Sequence, residues 1–288
     1  MTQVTNPTQP AITLPGGAGG GGLNIIGKAT ANNLNGTAGA DIFLTFEGND
    51  VIAGAGGDDL IFSGGGNDSI GGGSGNDALV SGSGNDAVAG GDGDDRIFGG
   101  KGNDVLDGGA GNDVVSGEKG NDVVLGGTGN DAVYGGEGSD TVGGGDGNDS
   151  VYGGKGNDTV DGGAGNDFIS GDRGSDLLTG GAGNDTFYFA SAGGDFGVDT
   201  ITDFTPAEDK IRLKTTGGGV FSVLGNSVDT SEFVVVSGFS ANSPGATTNK
   251  LIYDPTNGAL FFNSGNGVLE VARLTPGLTI TSNNFEVF

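Results

Sequence analysis

The chain has no cysteine and no histidine among its 288 residues, and each absence excludes a class of chemistry. Without cysteine there is no disulfide framework, no thiol nucleophile and no thiolate metal site. Without histidine there is no Ser-His-Asp triad and no H-E-x-x-H zinc motif. We therefore expect no protease, lipase or esterase mechanism, and any metal site must use oxygen ligands.

Basic residues are also scarce: 11 Lys and Arg stand against 37 Asp and Glu, a net charge of −26. This balance disfavours nucleic acid or an anionic membrane as a partner and favours a cation. The charge is concentrated in residues 36–188, which hold 27 acids and 5 bases. The N-terminus lacks the basic and apolar regions of a Sec-type signal peptide, and no segment is long and apolar enough to predict a transmembrane span.

Glycine, by contrast, is abundant, and its 67 residues belong largely to a repeat of nine. Copies such as "GGKGNDVLD" at 99–107 follow one another 17 times between Gly36 and Tyr188 without an insertion. When the positions of each copy are numbered one to nine from Gly36, the fourth is always glycine, the sixth aspartate and the eighth apolar. An unbroken register of this kind indicates a solenoid and disfavours a disordered acidic tract in the presence of a cation.

Each fixed position has a structural interpretation. Glycines at positions one, two and four permit positive φ, so the first six residues predict a tight turn with inward carbonyls. Positions seven to nine predict a minimal strand whose eighth residue alone faces the interior. Two turns and two strands, supplied by two successive copies of the repeat, return the chain to its start. The predicted fold class is all-β: a right-handed parallel β-roll, which is a two-sheet solenoid with two nonapeptides per coil.

Coils stacked at about 4.8 Å place the sixth-position aspartates in two columns on opposite edges of the roll. The first column is Asp41, Asp59, Asp77, Asp95, Asp113, Asp131, Asp149, Asp167 and Asp185. The second column is Asp50, Asp68, Asp86, Asp104, Asp122, Asp140, Asp158 and Asp176. Carboxylates this close repel one another unless a cation lies between them, and an oxygen-only, flexible site favours Ca2+. The gaps predict up to about fifteen ions, so calcium binding and folding form one equilibrium.

This pattern resembles the RTX (repeats-in-toxin, hemolysin-type) calcium-binding nonapeptide across residues 36–188. The resemblance implies a parallel β-roll in which sixth-position aspartates and backbone carbonyls hold Ca2+ between successive turns. It also implies a chain that is disordered in the low-calcium cytosol and folds outside the cell.

Several copies depart from the pattern. The first two copies lack paired glycines, which predicts weaker calcium binding at Asp41 and Asp50. Glu118 and Asp172 replace the second glycine of their turns. One copy earlier, residues 27–35 keep the register but carry Asn32 at the sixth position, so we interpret them as a decayed copy or cap.

The pattern predicts four regions. They are a flexible N-terminal segment (1–22), an N-terminal cap or decayed repeat (23–35), the β-roll (36–188) and a C-terminal antiparallel β cap (189–288). Within the last region, residues 198–213 resemble the segment that follows the roll in secreted RTX proteases and lipases. Strand-like runs follow, and Asn257-Gly258 predicts a hairpin turn.

Two features of this C-terminal region bear on function. The final residues 286–288, an acid followed by two apolar residues, resemble the signal read by the type I secretion apparatus. Asp199, Asp203 and Asp209 either form one further calcium site or are surface charges.

Family members carry their activity in an extra domain, whereas only about 35 residues precede the first full repeat here. We therefore expect a secreted, extracellular, calcium-dependent protein without an enzymatic domain, with a structural, matrix or cell-surface role that includes self-assembly. The alternative is a polysaccharide-binding or polysaccharide-modifying module similar to those of RTX epimerases. Outward aromatic residues could serve either role; they are Phe62, Phe98, Tyr134, Tyr152, Phe168 and Tyr188.

Overall fold

The computed structural model describes residues 2–3, 12–13, 22–190, 197–214, 228, 232–239, 250–263 and 268–287. These residues form 28 strands and one short 3-10 helix, so the all-β prediction is confirmed. No helix in this described part is long and apolar enough to cross a membrane.

The strands have the following bounds, and the 3-10 helix is Ser282–Asn284. They are β1 (Thr2–Gln3), β2 (Ile12–Thr13), β3 (Asn24–Ile26), β4 (Asn33–Asn35), β5 (Ile42–Leu44), β6 (Val51–Gly56), β7 (Leu60–Gly65), β8 (Ser69–Ser74), β9 (Ala78–Ser83), β10 (Ala87–Asp92), β11 (Arg96–Lys101), β12 (Val105–Ala110), β13 (Val114–Lys119), β14 (Val123–Thr128), β15 (Ala132–Glu137), β16 (Thr141–Asp146), β17 (Ser150–Lys155), β18 (Thr159–Ala164), β19 (Phe168–Arg173), β20 (Leu177–Ala182), β21 (Thr186–Ala190), β22 (Asp199–Ile201), β23 (Lys210–Lys214), β24 (Phe233–Val235), β25 (Lys250–Asp254), β26 (Ala259–Asn263), β27 (Val268–Arg273) and β28 (Phe285–Val287).

Two sheets run the length of the roll. The odd sheet contains the odd-numbered strands from β1 to β23 in order and ends with β28. The even sheet contains the even-numbered strands from β2 to β22 and continues through β27, β26, β25 and β24. Strands of successive coils pair in parallel, so that Ile97 on β11 aligns with Val115 on β13, two copies of the repeat later. The two-sheet parallel roll with two nonapeptides per coil is therefore confirmed.

The core between the sheets is one side chain deep on each side. The eighth position is buried in every copy, from Phe43 to Phe187, and its exposure never exceeds 4%. The remaining apolar positions seven and nine point outward, as in the burial pattern of β12. The pleat of a strand thus commits one apolar residue in nine to the interior.

The strands are longer than predicted. In a central copy the strand covers positions seven to nine and then positions one to three of the next copy, six residues in all, as in Val105–Ala110. The turn is therefore only positions four to six. Pairing between coils skips position one: Ala89 aligns with Asp107 and Gly91 with Gly109, while Gly90 and Gly108 are unpaired. Positions one to three are rich in glycine but still continue the sheet, because their backbone N–H and C=O groups find hydrogen-bond partners in the same positions of the next coil.

Glycine has two separate roles in the coil. Positions two and four have positive φ, as in Gly100 (+103°) and Gly102 (+127°), which agrees with the prediction. Position one was expected to need positive φ for the same reason, and that explanation is wrong. Gly99 and Gly108 are absent from the positive-φ set, and what they provide is space.

The C-terminal region first extends the roll and then departs from it. Strands β22 and β23 add to the two sheets in parallel, with Leu178 aligned to Ile201 and Phe187 to Ile211. Strands β25, β26 and β27 form an antiparallel meander, and residues 255–258 make the expected hairpin turn. The strand-like run at 220–224 and the terminal residue 288 lie outside the described residues.

Candidate metal centre

The seventeen sixth-position aspartates lie at the turns, in two columns along opposite edges of the roll. Between successive coils, the backbone N–H of each aspartate donates to Oδ1 of its counterpart in the next coil, at 2.7–3.0 Å. All seventeen side chains are buried, with exposures of 1–3%. One carboxylate oxygen of each aspartate therefore joins two coils without any metal.

The second oxygen, Oδ2, has no hydrogen-bond partner in fifteen of these aspartates. They are Asp50, Asp59, Asp68, Asp77, Asp86, Asp95, Asp104, Asp113, Asp122, Asp131, Asp140, Asp149, Asp158, Asp167 and Asp176. A buried acceptor left unpaired costs about 1–3 kcal/mol, and more when it is charged. Fifteen such atoms in one regular array indicate that a ligand belongs there.

In eleven of the fifteen turns the free Oδ2 faces a backbone carbonyl of the next coil across the glycine at position one. A Cβ placed on Gly108 would lie 2.6 Å from Asp113 Oδ2 and 2.3 Å from the carbonyl oxygen of Gly126. Gly108 is the first residue of the same turn, and Gly126 is its counterpart one coil later. In these turns two acceptor oxygens thus converge at a place that glycine leaves open.

Asn32 replaces the sixth-position aspartate in its turn and shows what kind of group the carbonyls of such a turn accept from. At this sixth position the side-chain Nδ2 donates to the carbonyls of Lys28 (3.0 Å) and Thr30 (2.6 Å) and to Asp50 Oδ1 (2.8 Å). The carbonyls of the turn therefore point at the end of the sixth side chain. Where that residue is aspartate, the carboxylate oxygen Oδ2 faces the carbonyl oxygens of the turn. A positive ion would then take the place of the amide hydrogens.

The electrostatics of the columns agree with this geometry. Burial, opposed by the backbone hydrogen bond from Asp77 and assisted by the neighbouring carboxylates Asp77 and Asp113, raises the pKa of Asp95 to about 7. Burial likewise raises the pKa of Asp104 to about 6. The described surroundings supply no compensating positive charge, so the ionised columns are unfavourable without a cation.

The donor set fits calcium. Within the described ranges no three acidic side chains gather at one point, so each gap offers a free carboxylate oxygen and takes its other ligands from the backbone. Carboxylate and carbonyl oxygens on an adaptable loop suit Ca2+ better than Mg2+, which requires a stricter octahedron. A bound ion would supply the positive charge that the fifteen Oδ2 atoms lack.

Three turns of the second column depart from this arrangement, and the sequence analysis singled out only the first of them, the turn of Asp50. Thr45, Ser63 and Ser81 occupy position one in place of glycine. Their hydroxyls donate at 2.7 Å to the position-one carbonyls of Ser63, Ser81 and Gly99, respectively. These carbonyls already accept a hydrogen bond, so a cation in the gaps at Asp50, Asp68 and Asp86 would compete with the hydroxyl for them. The change of residue type at position one was the available signal.

The three tail aspartates do not share a site. Asp199 accepts from the backbone N–H of Asp176 at 3.0 Å and so extends the second column. Asp209 accepts from that of Asp185 at 3.0 Å and extends the first column. Asp203 instead accepts from the backbone of Gly180 and Gly181 at 2.9 and 2.8 Å.

A parallel β-roll whose turns present buried, unpartnered aspartate oxygens defines a calcium-binding solenoid. The family model described as "RTX calcium-binding nonapeptide repeat" matches residues 26–61, 44–79, 80–115, 107–142, 116–151, 134–169, 143–178 and 161–192. The chain therefore belongs to the RTX calcium-binding nonapeptide repeat family. The matches end at residue 192, so the resemblance of residues 198–213 to RTX proteases and lipases stays a prediction.

Comparison with individual proteins adds little. No curated protein matches the chain. Among solved structures it is similar to the extracellular lipase LipA from Serratia marcescens, with 16% identity, a TM-score of 0.25 and 93% of this chain covered. The chain spans 40% of the length of that lipase chain, and so distant a likeness supports no conclusion about activity.

Proposed function

We propose that this chain is a secreted calcium-binding β-roll that folds when it meets extracellular calcium. The observation that carries the proposal is the set of fifteen buried Oδ2 atoms without a partner. At about 1–3 kcal/mol each, their combined cost is roughly 15–45 kcal/mol. Native domains are stable by only about 5–15 kcal/mol, so the roll needs the cation to remain folded.

Calcium titration tests this proposal. Far-UV circular dichroism should change from coil to β as calcium is added to the chelator-treated chain, and magnesium at the same concentration should produce much less change. A β spectrum that persists in excess chelator would contradict the proposal. The radius of gyration, measured by X-ray scattering on the same samples, should fall along with the spectral change.

Export by the type I apparatus is part of the same proposal. In the folded chain, Phe285–Val287 form β28 on the odd sheet, and Arg212 makes an ion pair with Glu286 at 3.2 Å. The backbone of these residues is free of strand pairing only before folding, which supports export of an unfolded chain from a low-calcium cytosol. Secretion assays in cells with and without a type I transporter test this step.

We propose a structural, matrix or cell-surface role in preference to an enzymatic one. The outer face of the odd sheet carries exposed apolar side chains at position nine, including Leu44 (39%), Phe62 (39%) and Tyr134 (40%). The matching positions of the even sheet are small or polar in several coils, as in Gly71 and Thr179. Self-assembly through the odd sheet would cover these groups. Calcium-dependent growth of sheets or fibrils, seen by electron microscopy, is the expected result.

A separate observation favours the polysaccharide-binding alternative. Four cations share one outer column of the odd sheet at position three: Lys101, Lys119, Lys155 and Arg173. Glu137 lies among them and contacts Lys119 and Lys155 at 3.7 and 2.5 Å. Such a row on an otherwise acidic roll offers positive charge to a linear acidic glycan.

A glycan screen in millimolar calcium separates the two roles. Specific, salt-sensitive binding to a uronate polymer that is weakened by Lys101→Ala and Arg173→Ala favours the glycan module. Assembly without glycan binding favours the structural role. Arg273→Ala is the matched control, because Arg273 lies on β27 of the even sheet.

A further inference from the structure

The two outer faces of the roll differ in charge. The odd strands β7 to β19 carry five bases and three acids, whereas the even strands β6 to β20 carry four acids and no base. All of these bases and all four acids of the even strands are exposed. The bases are Arg96, Lys101, Lys119, Lys155 and Arg173, and the acids of the even strands are Asp92, Asp107, Asp146 and Asp161. Charge of opposite sign therefore dominates the two faces once the buried columns are neutralised.

The charges at position three have the same spacing on both faces. On the odd sheet, Lys101 on β11 and Lys155 on β17 are separated by three coils. On the even sheet, Asp92 on β10 and Asp146 on β16 are also separated by three coils. At about 4.8 Å per coil, both intervals are about 14 Å. Two bases on one face can therefore meet two acids on the other face at the same time.

The two faces also differ in shape at position nine. The odd sheet is bulky there, and the rings of Tyr134 and Tyr152 stack with centroids 5.0 Å apart. The even sheet has a recess of about 300 Å³ at Gly143, between Leu125 and Asp161. Elsewhere position nine of the even sheet is small in several coils, at Ala53, Gly71 and Ala89. The odd face thus has projections and the even face has spaces.

We propose that the odd face of one roll packs on the even face of a second copy, with the two roll axes antiparallel. The odd and even strands of one roll run in opposite directions, because each turn reverses the chain. Rotating the second copy by half a turn about the normal to its faces makes its even strands run parallel to the odd strands that they cover. Position three then lies over position three, and position nine over position nine. The inference rests on the proposed structural role and names its partner surface.

The charges define the register of this contact. Both sheets advance by one strand per coil, so one matched pair determines all the others. When Lys155 lies over Asp92 of the second copy, Lys101 lies over Asp146, three coils away. None of the four acids of the even face then lies over an acid of the odd face. The contact therefore has two opposite-charge pairs and no like-charge pair at these acids.

Bulky and small side chains alternate correctly in the same register. At position nine, Phe98 lies over the recess at Gly143. In the next coils, Leu125 lies over Ser116 and Tyr152 lies over Ala89. Placing Lys119 and Arg173 over the two acids instead would put Tyr134 over Leu125 and leave Ser116 over Gly143. Shape therefore selects the register that pairs Lys155 with Asp92.

The contact is large enough for a stable complex. The eight even strands from β6 to β20 have six residues each and cover about 38 Å by about 20 Å, or roughly 750 Å². Stable protein interfaces bury about 800 Å² on each partner. Because the two contacting faces are different, every added copy presents a free odd or even face. The contact therefore produces open stacks and not closed dimers.

Sedimentation of the full chain in millimolar calcium, with charges exchanged between the faces, tests the proposal. Lys101→Asp with Lys155→Asp reverses charge on the odd face. Asp92→Lys with Asp146→Lys does so on the even face. Position three already holds both residue types, so both variants should fold, which circular dichroism checks. Each variant alone should need roughly tenfold more protein to assemble, whereas their equimolar mixture should assemble like the wild type.

Two further chains control for net charge. A chain with all four replacements has the composition and net charge of the wild type, so it should assemble like the wild type. Lys28→Glu changes an exposed residue outside both faces and should have no effect. Assembly that Asp92→Lys with Asp146→Lys leaves intact, or growth that ends at a dimer, would overturn the odd-on-even contact in favour of contact between two odd faces.

Failure of this contact is distinguishable from failure of the proposed function. A wild-type chain that gains a β spectrum in calcium but stays monomeric would overturn the contact alone. Binding of a uronate polymer by that monomer would assign the lysines to a glycan. A chain whose spectrum does not change in calcium would instead contradict calcium-dependent folding.

Gly143→Leu tests the register. Gly143 does not have positive φ, and a Cβ there meets only the flexible end of Leu125, at 3.1 Å, so the roll should fold. Filling the recess should weaken assembly by roughly tenfold, and Phe98→Ala in the same chain should restore it. Unchanged assembly of Gly143→Leu, or no recovery on adding Phe98→Ala, would overturn the register.

Discussion

Replacing Asp113 and Asp131 by asparagine should affect the roll in opposite directions with and without calcium. Both residues lie in the first column, and asparagine keeps the Oδ1 acceptor that joins neighbouring coils. The new Nδ2 would face the position-one carbonyls of the next coil, Gly126 and Gly144. The Nδ2 of Asn32 also donates to backbone carbonyls, which in its case belong to its own turn. The double variant therefore exchanges two cation sites for two amide donors.

The two contributions are similar in size and opposite in sign. Without calcium, each replacement removes an unpaired buried oxygen and adds a hydrogen bond, which stabilises the roll by roughly 2–4 kcal/mol. At a calcium concentration 100 times the dissociation constant, each lost site removes about 2.7 kcal/mol. The double variant should thus be about 4–8 kcal/mol more stable than the wild type without calcium, and within about 3 kcal/mol of it at this calcium concentration.

Urea unfolding at a series of calcium concentrations measures both effects. The slope of unfolding free energy against the logarithm of calcium concentration counts the ions released, and it should fall by two in the double variant. The lines of variant and wild type should cross at roughly 30–900 times the dissociation constant, where each lost site costs as much as its new amide contributes. Asp107→Asn, an exposed position outside both columns, is the matched control. An unchanged slope would refute the assignment of Asp113 and Asp131 as ligands, and a variant less stable at every concentration would refute the role of Nδ2.

The remaining predictions concern the glycine gap, the hydroxyl turns and pH. Gly108→Ala places Cβ 2.3 Å from the carbonyl oxygen of Gly126 and 2.6 Å from Asp113 Oδ2, so the number of bound calcium ions, counted by native mass spectrometry, should fall by one. Gly71→Ala is the control: its Cβ would have no atom within 4 Å, so the number of ions should not change. Ser81→Gly frees the carbonyl that its hydroxyl now bonds, so calorimetry should show tighter calcium binding, and weaker binding would contradict this. Burial raises the pKa of Asp95 from 3.8 to about 7, so protonation favours the folded chain, and stability is lost as pH rises through about 7. In chelator, circular dichroism should therefore show more β structure at pH 5 than at pH 8, and no increase would contradict the argument.

The repeat predicted the parts of the structure that depend on period alone. A fixed apolar eighth position, from Phe43 to Phe187, could only be satisfied by a thin two-sheet core, and the structure has that core. The same register predicted that Asp104 joins Asp86 and Asp122 and never Asp113, which the hydrogen bonds confirm. These features follow from counting residues and need no knowledge of side-chain detail.

Other features could not be read from the period. Position one contains glycine in most copies, and the sequence does not distinguish a glycine needed for φ from one needed for space beside Oδ2. The strand length was missed for a related reason: glycine has low strand propensity, yet coil-to-coil pairing extends each central strand through positions one to three. Asp199 was not placed in the second column because the five-residue insertion before it breaks the register, although its glycine and apolar companions Gly197 and Ile201 keep the pattern.

The exclusive use of aspartate in both columns follows from two simultaneous demands on one side chain. Glutamate also ligates calcium, so metal binding alone does not explain seventeen aspartates. Oδ1 must reach the amide of the preceding coil, at 2.7 Å for Asp113 and 2.8 Å for Asp131, while Oδ2 stays over the first glycine of its own turn. An added methylene would displace both oxygens by about 1.5 Å, so that both could not hold these positions at once. Alanine would lose both contacts, whereas asparagine loses only the metal. Asp113→Ala should therefore destabilise the roll with and without calcium, and the difference between Asp113→Ala and Asp113→Asn in chelator isolates the contribution of the coil-to-coil hydrogen bond.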